Sequence, residues 1–77
     1  MVTIESHTDN TGSAEVTQTV TDARAKLLSD KFTTLGIQES RLRAKGFGAT
    51  IPAVPNTTVA NKAKNRRVNI ILDLMVQ

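Results

Sequence analysis

The sequence predicts a small α+β fold, a β-α-β-β unit with one sheet face covered by a single long helix. Three observations carry this reading. β-branched residues alternate with polar ones in Val2-Thr3-Ile4-Glu5-Ser6, the pattern of a half-buried strand. Apolar residues then recur at helical spacing for about twenty positions. A second long alternating run, 68–76, closes the chain. Strand, helix, short strand and long strand in that order argue for two packed layers.

Each element has its own signals. Asn10-Thr11-Gly12 is turn chemistry, with Gly12 free to take positive φ, and Ser13 can cap a helix beginning at Ala14. Val16, Val20, Ala23, Leu27, Leu28, Phe32 and Leu35 form one apolar stripe, which is expected to face the sheet. Thr17, Thr19 and Thr21 lower the early helix propensity, so a looser start or a second cap at Thr21 is an alternative. Gly36 ends the pattern as a C′ glycine. A short strand is expected over 41–46, with Leu42 and Ala44 pointing one way, broken by Gly46-Phe47-Gly48. Pro52, Pro55 and Asn56 keep the next stretch irregular. Thr57 or Thr58 can cap a short helical turn through Lys64. In the final strand Val68, Ile70, Leu72, Leu74 and Val76 share one face.

Composition limits what the chain can do. At 77 residues it is a single small domain, which buries only roughly 60% of its unfolded surface. There is no cysteine, hence neither a disulfide nor a thiolate metal site. No run of about 18 apolar residues occurs. Ten Lys and Arg against seven Asp and Glu give +3, compatible with an anionic partner without demanding one. Two phenylalanines, Phe32 and Phe47, are the only aromatic residues of the Phe, Tyr and Trp set. That weakens a nucleic-acid reading built on Lys62, Lys64, Arg66 and Arg67, because single strands stack on several rings.

No nucleophile–base pair is visible, and an enzyme is not expected. His7 is the only histidine, and the four Asp and three Glu lack ligand spacing, so neither a metal nor a cofactor is expected. Asp9 is better placed, between the first strand and the long helix. Arg24 follows fifteen positions later on that helix. The two could form a surface salt bridge. They could instead form one polar site, with Arg24 holding a carboxylate and Asp9 an ammonium, which suits a zwitterionic amino-acid-like group. Strand alternation sends Arg66 and Arg67 to opposite faces, so one of them could join that site.

Three stretches together are specific: HTDNTG at 7–12, DARA at 22–25, and PNTTVANKAKNRRVNI at 55–70. With GIQESRLRAKGFGATIPAVPN at 36–56 between them, the chain resembles the OmpA-like C-terminal domain over nearly its whole length. This is the peptidoglycan-associating domain of outer-membrane proteins and lipoproteins in Gram-negative bacteria. The resemblance implies a mixed sheet, a remnant of the family's βαβαββ sandwich. It implies non-covalent binding of peptidoglycan through the diaminopimelate of the peptide stem, in the periplasm, anchoring an outer-membrane or envelope protein to the cell wall. By position, Asp9 would meet the ligand ammonium and Arg24 its carboxylate. Arg66 would sit in the same pocket, and Thr8, Asn10 and Thr17 would line it.

The sequence departs from the family pattern in places. Ser6 stands where a glycine is usual before His-Thr-Asp, Thr17 replaces an asparagine, and Asn61-Lys62 replaces Gly-Arg. The resemblance also implies a strand and helix ahead of residue 1, so that 1–77 reads as one domain lacking its front. The absent strand would pair with the last one, leaving 68–76 an open apolar edge. A homodimer or a strand-donating partner through 68–76 is therefore expected. The alternative function is an assembly module that dimerises through this strand and binds no ligand.

Overall fold

The computed structural model describes residues 1–73. Strand β1 (Val2–His7) leads into helix α1 (Ala14–Thr34) and a 3-10 turn (Glu39–Arg41). Then come β2 (Leu42–Gly46), a second helix α2 (Val59–Asn65) and β3 (Arg67–Leu72). The sheet is mixed, in the order β2-β1-β3, with β1 parallel to β2 and antiparallel to β3. The α+β architecture read from the sequence is therefore the one observed. Positions 74–76 of the expected last strand lie outside the described residues.

Both helix starts follow the capping rule. Ser13 Oγ accepts from the Val16 N–H at 3.1 Å, and Thr58 Oγ1 accepts from the Asn61 N–H at 3.0 Å. Helix α1 is continuous through Thr21, so neither a loose start nor a second cap occurs. It ends in a Schellman motif: the Ile37 N–H donates to Phe32 O and the Gly36 N–H to Thr33 O, with Gly36 at φ 104°.

The packed face of α1 is not the expected apolar stripe. Val16, Val20, Leu27 and Leu35 are exposed, whereas Thr17, Thr21 and Ala25 are buried. The reason is a close approach of helix and sheet. A Cβ at Gly46 would stand 2.4 Å from the Asp22 amide nitrogen, so only small side chains fit where α1 crosses the sheet. Threonine tolerates that burial because its hydroxyl is satisfied. Thr21 Oγ1 donates to Thr17 O at 3.0 Å and accepts from the Gly48 N–H at 2.9 Å. Beneath it, Ile4 and Ala25 are the buried apolar residues among those described.

The flanks of α1 then have fixed directions. Gln18 Nε2 donates to Gly46 O at 2.6 Å, and Asp22 Oδ1 accepts from the Gly46 N–H at 3.2 Å, so this flank faces β2. The helical period puts Val16, Val20, Arg24 and Leu27 on the other flank, toward β3. α1 packs on β1 and β2, and among the described residues β3 has no comparable cover.

Replacing Gly46 with alanine should destabilise the chain by about 1–3 kcal/mol, the range for overpacking. Urea unfolding followed by far-UV circular dichroism measures it, and an unchanged midpoint would contradict the close approach.

Candidate functional site

The candidate site is built where β1 ends. Beyond His7, the parallel ladder with β2 continues into the loops: the Phe47 N–H donates to Ser6 O at 2.9 Å and the Thr8 N–H to Gly48 O at 3.0 Å. This fixes the backbone on which Asp9 sits. Asp9 Oδ1 accepts from the Thr11 N–H at 2.9 Å, an Asx turn, and Oδ2 accepts from Arg66 Nη1 at 2.5 Å. The Thr11 amide, then Arg66, lowers the Asp9 carboxyl to about 2, against a slight opposing effect of burial. The carboxylate is 7% exposed and its arginine 45%, so the pair has a buried acid and an open base.

Arg66 is held in turn by its neighbour. Asn65 is fully buried at the end of α2. Its Oδ1 accepts from the Ala53 and Val54 N–H groups at 2.9 and 3.2 Å. Its Nδ2 donates to Val54 O at 2.8 Å and Asn56 Oδ1 at 2.7 Å. All of the amide's hydrogen-bonding capacity is engaged, and the 53–56 loop is tied to the residue that precedes Arg66. Arg67 goes to the other face, where its Nη2 donates to Ile51 O at 3.0 Å.

The other expected site residues take no part in this contact. Thr8 is half-buried and Asn10 exposed. Thr17 is buried, its Oγ1 donating to Ala14 O at 3.0 Å beneath Gly48. Arg24 is exposed on the β3-facing flank of α1 and makes no ion pair among the described residues, so the simple Asp9–Arg24 salt bridge is not formed. Asp9 is bridged instead to Arg66.

Two features were not read from the sequence. One is Asn65, whose only sequence signal was its place directly before the paired arginines. The other is the environment of His7. Its ring stacks on Phe47 with centroids 5.0 Å apart and planes 6° apart, and Lys45 Nζ stands 4.9 Å from the Phe47 centroid. His7 is buried, and neither ring nitrogen has a hydrogen-bond partner among the described residues. Burial, then the Arg67 charge, holds its pKa below the ordinary value, partly opposed by Glu5. A separate cavity of about 350 Å³, lined by Gly36, Ile37, Gln38 and Arg41, lies past the far end of α1.

Comparison with known proteins gives the family. The OmpA family model matches residues 1–66, which hold the HTD turn, α1, α2 and Arg66. The chain belongs to the OmpA family. Among its relatives, the peptidoglycan-binding protein ArfA of Mycobacterium tuberculosis is 36% identical over 94% of this chain and 22% of its own length. The outer-membrane lipoprotein YfiB of Pseudomonas aeruginosa is 34% identical over 92% of the chain and 42% of its own length. The chain thus spans less than half of these curated relatives. Among solved structures, the C-terminal domain of Helicobacter pylori MotB matches with a TM-score of 0.82 and 26% identity. That match covers 91% of this chain and 54% of the other. The peptidoglycan-associated lipoprotein of Burkholderia pseudomallei shares the fold, with a TM-score of 0.85 and 24% identity over 91% and 59% of the two chains.

Acid should act on this OmpA-family chain in two windows. His7 has a lowered folded pKa, so its contribution is complete above about 6.5 and fades as pH falls below that value. The Asp9 contribution persists further and is lost as pH falls from about 4 toward about 2. Carbon-13 NMR of the Asp9 carboxyl should show the low titration in the parent chain. In Arg66→Ala it should shift upward toward the ordinary carboxylate range. A carboxyl that titrates identically in both chains would contradict the pairing.

Proposed function

We propose that the chain is a non-enzymatic peptidoglycan-binding module that grips the diaminopimelate of the peptide stem. The observation that carries this is the buried Asp9 carboxylate, ionised at neutral pH and held at the sheet end beside an arginine that remains half open. A ligand ammonium would take the free lone pairs of Asp9. Its carboxylate would take the outward donors of Arg66 together with Arg24, a planar fork suited to carboxylate. Arg24 supports this reading by lying on the α1 flank that faces the β3 side, where Arg66 enters. Thr8, Asn10 and Thr17 complete the lining, Thr17 from below as a buried support. Bound in this way, the module would anchor an envelope protein of the periplasm and outer membrane to the cell wall. Peptidoglycan association agrees with the similarity to the peptidoglycan-binding protein ArfA.

The alternative is an assembly module that has kept the fold without the ligand, with a homodimer or a strand donor engaging 68–76. The exposed apolar side chains of Ile70, Ile71 and Leu72 on β3 support this reading.

Muropeptide carrying meso-diaminopimelate should perturb the NMR signals of Asp9, Arg24 and Arg66. The same muropeptide with lysine in that place lacks the side-chain carboxylate and should bind at least tenfold more weakly. Arg24→Ala should abolish pull-down by isolated cell wall, and retained pull-down in that variant would remove the clamp.

A further inference from the structure

Helix α1 is braced against the sheet end by a run of hydrogen bonds that does not follow the chain. Thr21 is fully buried. Its Oγ1 donates to Thr17 O at 3.0 Å and accepts from the Gly48 N–H at 2.9 Å. Gly48 O accepts in turn from the Thr8 N–H at 3.0 Å, and Thr8 directly precedes Asp9. Gly48 has φ 57°, and a Cβ there would stand 3.2 Å from Thr17 Oγ1, so the loop lies directly on the helix. Along the chain, Asp9 and α1 are joined through residues 10–13. The bridge from Thr21 through Gly48 to Thr8 spans that turn and fixes its two ends.

Arg24 stands on the same helix, three residues beyond Thr21 and about 4.5 Å further along the axis. One turn of hydrogen-bonded helix keeps that offset. The contact that holds Thr21 to Gly48 therefore also holds the base of Arg24 at a set distance from Asp9. Gln18 and Asp22 bond to Gly46 and anchor α1 to β2. The Thr21 contact is the one that leads on to the strand end carrying Asp9.

We propose that Thr21 is a positioning residue that sets ligand specificity. This rests on the clamp reading above. The Thr21 hydroxyl fixes the separation of Asp9 from Arg24. That separation selects a stem residue with an ammonium and a carboxylate on one carbon over a stem residue with an ammonium alone. Asp9 can take either ammonium, but only the first ligand also fills the arginines. It gains from both partners together when they already stand at its own charge spacing, because no ordering of the site is then left to binding. With α1 free to slide, each charge would find one partner and the discrimination would fall.

The test separates the hydroxyl from the shape of the side chain. Valine keeps the shape of threonine and leaves the Gly48 N–H without its acceptor, whereas serine keeps the hydroxyl. The parent chain should prefer muropeptide with meso-diaminopimelate over the lysine form by about tenfold or more. In Thr21→Val the preference should fall below about threefold, with the diaminopimelate form bound about tenfold more weakly. Thr21→Ser should stay within about twofold of the parent for both ligands. Ile4→Val truncates the core away from the bridge, so it should lower the urea midpoint and leave the preference unchanged. In the ligand-free chain, Thr21→Val should speed exchange of the Gly48 amide hydrogen about tenfold and raise the Asp9 titration. Thr21→Ala, smaller and a better helix former, is the second variant and is read in the same way. An unchanged preference in a folded Thr21→Val or Thr21→Ala, or an equal fall in Ile4→Val, would overturn the specificity role. Unaltered Gly48 exchange and Asp9 titration would overturn the bridge. Failure of the parent to bind either muropeptide, with the ligand-free effects present, would overturn the clamp and leave Thr21 as the residue that places Asp9.

Discussion

The contact between Asp9 and Arg66 closes the fold across 57 positions of sequence. It ties the end of the central strand to the junction of α2 and β3, and both partners are prepared for it. Asp9 is oriented by the Thr11 amide as well as by Arg66. Arg66 follows an asparagine whose side-chain amide is wholly engaged by the 53–56 loop. A flexible aspartate and a flexible arginine would lose rotamer freedom on meeting, and pre-orientation reduces that loss. The arginine stays partly in water, so the contact positions groups more than it stabilises the chain.

The rest of the structure compensates for a small apolar core. With Ile4 and Ala25 the buried apolar residues among those described, the helix–sheet interface relies on close approach and hydroxyl hydrogen bonds. Gly46 lets the helix backbone reach the strand, and Thr17 and Thr21 fill the gap that larger side chains could not enter. The same geometry turns valines and leucines of α1 outward over β3. Apolar surface on the helix flank and apolar surface on the open strand are thus two consequences of one packing choice. The Asp9–Arg66 pair lies at one end of that strand.

Much of the architecture was legible in the chain itself. Alternation identified β1 and β3, Ser13 and Gly36 bounded α1, and the spacing of HTD, DARA and NRR identified the family. These signals are local, and each rests on the conformational preference of a few adjacent residues. The stripe on α1 misled because a helical wheel shows which face is apolar but not how near the sheet comes. Interhelix-scale burial would have favoured Val16, Val20 and Leu27; contact at glycine distance favoured threonine. Nothing in the sequence separated Arg24 from Arg66 as the partner of Asp9, since both are cations at a plausible remove.

The sequence by itself determined the order and kind of the elements, the caps, and which charged residues were available. Tertiary structure alone decided which of those charges meet, which face of α1 packs, and that Asn65 holds the arginine in place. Backbone preferences act between neighbours and are written in the chain. The meeting of side chains dozens of positions apart depends on strand order, register and the depth of a glycine contact, and these exist only once the sheet has formed.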